Sequence, residues 1–152
     1  MKYVAGLVIV AIASVAWCAD TKKDDTGLNG FWVLSSGVKG GEAMPADALK
    51  KIILQLKDGK YHAKVGDATD IGTYTVDTSK TPKTLTLTGT SGPNKGKTML
   101  AIFEVDGKAL KVCYDLSGKA FPTSFESKTP ESFFATYERP KAKKRPFKTN
   151  AD

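Results

Sequence analysis

Among 152 residues there is one histidine, His62, and two cysteines, Cys18 and Cys113. That inventory limits the chemistry open to the chain. A zinc site gathers several nitrogen or sulfur ligands, and one imidazole with one or two thiols does not supply them. A nucleophilic triad needs an activated serine beside His62, and no serine stands in a Gly-x-Ser-x-Gly elbow. The run Gly96-Lys97-Thr98 matches the end of a phosphate-binding loop, but the first glycine of that motif would fall on Ser91. The run also joins two strand-like segments, whereas a phosphate loop opens a helix, so it reads as a glycine-proline turn. His62 reads as an exposed strand residue between Tyr61 and Ala63. Asp58, Asp67, Asp70, Asp77, Asp106 and Asp115 fall at strand ends and turns, where aspartate serves turn geometry. Asp67 with Asp70 is too sparse a pair for a calcium loop. No catalytic residue, metal ligand or cofactor is assigned, and the expected class is non-enzymatic.

Apolar recognition is the chemistry that remains. Tyr61, Tyr74, Met99, Phe103, Val112, Tyr114, Phe133 and Tyr137 alternate in phase with core-facing positions. Rings with polar tips suit a pocket for a small apolar or amphipathic ligand held by a few directed hydrogen bonds. The same residues also make a solid core, because a small barrel's interior can be filled by side chains or hold one small ligand. Both readings stand at this level.

The elements that must position these residues follow a period of two, not 3.6. Strands are predicted over 28–36, 52–57, 61–65, 69–76, 84–88, 98–105, 110–116 and 132–138. Asp58-Gly59, Gly66-Asp67, Asp106-Gly107 and Ser117-Gly118 supply turns between them. Residues 45–51 are the one helical candidate, with Pro45 at the start, and read as a short lid or plug after the first strand. Cys113 reads as a small, half-buried strand residue. The expected fold is all-β: an antiparallel barrel of about eight strands with one short helix.

Gly30-Phe31-Trp32 has the Gly-x-Trp arrangement typical of lipocalin-type barrels. Glycine there lets the backbone bend, and Trp32 plugs one barrel end. Further runs follow in order: Lys57-Asp58-Gly59-Lys60-Tyr61, Gly72-Thr73-Tyr74, Asp77-Thr78-Ser79-Lys80-Thr81-Pro82-Lys83, Gly92-Pro93-Asn94-Lys95-Gly96-Lys97-Thr98, Glu104-Val105-Asp106-Gly107 and Leu110-Lys111-Val112-Cys113-Tyr114. Together they resemble an uncharacterised lipocalin-like domain family abundant in planctomycete bacteria, over about residues 28–140. Phe121, before Pro122-Thr123-Ser124-Phe125, departs from the resemblance, which carries a basic residue there. The resemblance implies a fold and an exported context, and no activity.

Both ends of the chain differ from its middle. Residues 4–16 are apolar or small with only Ser14 polar, and Lys2 precedes them. Thirteen such residues are too few for a membrane span, which needs about 20, and fit the core of an export signal. Residues 1–18 are therefore read as the signal, 19–27 as a flexible mature N-terminus, 28–139 as the barrel and 140–152 as a flexible basic tail. Cleavage after Cys18 places small residues at Ala16 and Cys18; lipidation of Cys18 is the alternative, with bulky Trp17 against it.

From 139 to 152 there are six basic residues and one acid, while 19–138 holds 16 basic and 15 acidic residues. The basic character is thus a property of the tail. Such a tail keeps a protein soluble, or meets an anionic envelope surface; no specific nucleic acid is implied. Two roles remain: a ligand-binding barrel, or an interaction protein of the cell envelope with a solid core that works through loops or tail. Oligomeric state is open. Mass spectrometry of protein recovered from its own cells is expected to show a mature chain beginning at Ala19. A lipid on Cys18 would select the alternative, and a mass that retains residues 1–18 would overturn cleavage in favour of an uncleaved anchor.

Overall fold

A computed structural model of the chain describes residues 26–141. The expected signal, the mature N-terminus up to residue 25 and the tail from 142 onward lie outside the described residues. Nine strands and one short helix follow in order: β1 Gly30–Lys39, β2 Glu42–Ala43, α1 Ala46–Leu49, β3 Ile52–Lys57, β4 Lys60–Val65, β5 Ala68–Asp77, β6 Lys83–Ser91, β7 Thr98–Asp106, β8 Ala109–Asp115 and β9 Ser132–Glu138. Each strand from β3 to β9 pairs antiparallel with the next, and β1 pairs with both β3 and β9. Eight strands therefore close into an all-β, lipocalin-like barrel, and β2 adds a two-residue extension to β1.

Alternation along each strand builds the interior. Trp32, Leu54, Leu56, Tyr61, Leu85, Leu87, Ala101, Phe103, Leu110, Val112, Ala135 and Tyr137 are buried and form one core. Two bulges interrupt the register, at Ser35 between β1 and β9 and at Thr90 between β5 and β6. In each case the hydroxyl of the extra residue donates to a neighbouring strand's carbonyl, Ser35 to Thr136 at 3.0 Å and Thr90 to Ile71 at 3.2 Å. A bulge bends its strand and increases the local twist, which a closing sheet requires.

Sequence reading places the strands well and their ends less well. The first strand begins at Gly30 and runs on to Lys39, three residues beyond the expected end. The helix keeps only Ala46–Leu49 of the seven residues expected, and β2 carried no sequence signal. Cys113 is fully buried rather than half-buried. It faces outward from β8, opposite Ile102 and Phe134 in register. The segment 116–131 passes over it: its thiol donates to the Glu126 carbonyl at 3.3 Å, and the rings of Phe125 and Phe134 lie 6.1 Å apart. Ile102 is buried on the same outer face. Phe121, where the resemblance departs, stays 41% exposed and borders an outer groove with Thr84 and Thr86.

One end of the barrel is shut by a built plug. Trp32 is fully buried and its indole N–H donates to the Leu28 carbonyl at 2.7 Å. The Arg139 guanidinium stacks 3.7 Å above the indole ring and donates to the carbonyls of Asn29 at 2.7 Å and Gly27 at 2.8 Å. Gly30 makes room for it: its φ is +126°, and a Cβ there would lie 2.1 Å from an Arg139 nitrogen. Gly27, one residue before the expected start of the barrel, and Arg139, its expected last residue, are thus both part of the plug. Cation–π contact with desolvated indole and charge-assisted hydrogen bonds each contribute about 2 kcal/mol. Replacing Arg139 by Met, which keeps the stem, is expected to cost roughly 2–4 kcal/mol in urea melts. A loss within about 0.5 kcal/mol would mean that Trp32 closes the barrel unaided.

Candidate functional site

The other end of the barrel is hollow. A cavity of about 350 Å³ is lined by the aliphatic side chains of Ile52, Leu54, Leu87 and Met99 and by the aromatic rings of Tyr61, Tyr114, Phe133 and Tyr137. Its mouth is bordered by Lys39, Met44, Val65, Ala68, Pro93, Asn94 and Leu116. These residues come from the end of β1, the α1 approach, the β4–β5 turn, the β6–β7 loop and the residue after β8, all remote from Trp32 along their strands. Val65 is 50% exposed, so the rim presents an apolar side chain to water beside the exposed Lys39.

Of the residues expected at the interior, Tyr61, Met99, Tyr114, Phe133 and Tyr137 line the cavity. Phe103 and Val112 are fully buried in the packed core and do not line it. Tyr74 is partly buried and also stands apart; its hydroxyl donates to the Asn29 side chain at 3.3 Å, on the plugged side. Gly30 and Trp32 sit at the plug, as described.

Burial governs the tyrosines. Tyr114 and Phe133, opposite one another across β8 and β9, stack with centroids 5.8 Å apart and planes 15° from parallel. The hydroxyls of Tyr114 and Tyr137 are 3.3 Å apart and share one hydrogen bond. Loss of water pushes the Tyr137 hydroxyl up to about 12, and it holds Tyr114 well above the ordinary phenol range, with Tyr137 adding to the effect. Tyr61 is also raised, first by burial and then by the charge of Asp70 beside it.

Asp70 is the residue that sequence reading misplaced. It is not a turn residue but the third residue of β5, only 5% exposed. Its phase matches Gly72 and Tyr74, so it faces inward; the pattern signal was a carboxylate at a core-facing position. Tyr61 donates to it at 3.0 Å, and Asn94 donates twice, from its backbone N–H at 3.0 Å and its side-chain amide at 2.8 Å. Asn94 arrives on the 89–98 loop, which closes on itself through Gly89 N–H to Lys97 carbonyl at 3.0 Å and Gly96 N–H to Gly89 carbonyl at 2.9 Å. Gly92 lets this loop lie against β5, since a Cβ there would meet the Thr69 carbonyl at 2.3 Å. Gly96-Lys97-Thr98 leads into strand β7, the geometry of a turn and not of a phosphate loop. Among the described residues no three His, Cys, Asp or Glu side chains gather to hold a metal ion.

The chain matches no family model, no curated protein and no solved structure.

The buried phenols make stability sensitive to alkali. Folding keeps Tyr137 protonated to about 12, whereas the unfolded chain ionises it near 10. Its contribution is complete below pH 10 and is lost as pH rises through 12. Between those limits wild type is expected to lose roughly 2–3 kcal/mol more stability than Tyr137→Phe in urea melts. Identical pH dependence in the two proteins would contradict the dry environment of the ring.

Proposed function

We propose that this protein is an exported, non-enzymatic binding module that carries one small apolar or amphipathic molecule in the open end of its barrel. The observation that carries this reading is the cavity of about 350 Å³, walled by apolar and aromatic side chains with few polar groups. Ligand pockets have that size, shape and lining. Closure of the barrel and the Trp32 plug leave the hollow end as the route in. The hollow favours the binding role over that of a solid-cored envelope protein. Export rests on residues 1–18, and the tail from 140 to 152, with five basic residues and one acid, supplies a contact to anionic envelope surfaces.

Native mass spectrometry of protein purified from its own envelope is expected to show a small co-purifying molecule. Filling the cavity with Met99→Trp should remove that adduct while the barrel stays folded. Failure of the wild-type protein both to carry an adduct and to bind the neutral probe 2-phenylethanol would overturn the reading.

A further inference from the structure

We propose that the cavity selects a small organic cation, a primary amine on an aromatic or short apolar body, with its ammonium group on Asp70. This rests on the cavity being a binding site and adds the chemical class of its ligand.

The argument begins with how Asp70 is satisfied. An ionised carboxylate offers about four acceptor positions. The chain fills three of them, with Tyr61 and the Asn94 amide on Oδ2 and the Asn94 backbone N–H on Oδ1. All three donors are neutral. Among the described residues no ion pair reaches Asp70; those present join Lys50 to Asp47 and Lys128 to Glu126. A carboxylate 5% exposed and facing an apolar cavity therefore carries a charge with no counter-charge and one acceptor position to spare. Burying a charge is costly unless it is paired. An ammonium group supplies both the missing charge and the missing donor.

The rest of the cavity fits the rest of such a molecule. Tyr61, Tyr114, Phe133 and Tyr137 surround it with aromatic rings, which attract cations through their faces and pack against flat apolar bodies. At about 30 Å³ for each water-sized group, the volume holds on the order of ten non-hydrogen atoms. An apolar anion is the competing occupant, with its carboxylate at Lys39 on the mouth. Lys39 is exposed, however, and water and salt screen an exposed charge far more than one inside the barrel. An anion would also bring its own charge toward Asp70.

Three probes of similar size separate the cases by calorimetry on the full purified chain: phenethylamine, 2-phenylethanol and 3-phenylpropanoate. Phenethylamine is expected to bind about tenfold or more tightly than the alcohol, as a charge-assisted pair in a dry site allows. The propanoate should bind more weakly than either. Asp70→Asn should erase the preference for the amine, read as the ratio of amine to alcohol affinity within the same variant, whatever its effect on the two affinities individually. The comparison in wild type stands even if that variant does not fold. Equal affinities for amine and alcohol, or preference for the propanoate, would overturn the cationic assignment and leave the binding role intact. No binding by any of the three would overturn both.

Discussion

Pairing of β1 with β9 is the interaction on which everything else in this protein depends. It joins the first long strand to the last across about a hundred residues, and it turns a meander of hairpins into a closed wall. Closure removes the open edges that would otherwise pair with other chains. It also sends every second side chain into one shared interior, so that what the strands carry inward must fit together as a single volume. The bulge at Ser35 lies within this seam, where the strand must bend to meet its partner.

Within that volume the chain makes two different choices. On the plugged side it fills space with Trp32, Leu56, Phe103, Leu110 and Val112, all fully buried. On the open side it spends bulk at the walls and leaves the centre empty, then sets a carboxylate among aromatic rings. Asp70 also holds the 89–98 loop, since both donors of Asn94 end on it. One side chain thus shapes the rim and supplies the interior's charge, and any change there affects both.

Much of this architecture was legible from alternation alone. Runs such as Ile52, Leu54, Leu56 and Leu110, Val112, Tyr114 fix which face is inside, because a strand cannot turn one residue inward without turning its neighbour out. Turn glycines and aspartates marked most of the hairpins. What escaped were features made by distant parts of the chain. Arg139 looked like the first charge of a basic run at the barrel's last residue, and only the return of β9 beside β1 sets it over Trp32. Asp70 looked like a turn residue because it follows Gly66 and Asp67 closely, although its phase with Tyr74 pointed inward. Cys113 is buried from outside, by the 116–131 segment, and a strand's own pattern does not register a cover laid over it. The hollow is a difference between volumes summed over eight strands, and no single stretch of sequence contains it.

The plug has a further bearing on how the molecule would sit in its surroundings. Arg139 clasps Gly27 and Asn29, so the chain enters and leaves the barrel at one pole. A tether applied where the chain enters or leaves the barrel therefore grips that pole. The mouth then points the opposite way, and a barrel held to a surface by its ends would face its opening toward the surrounding medium.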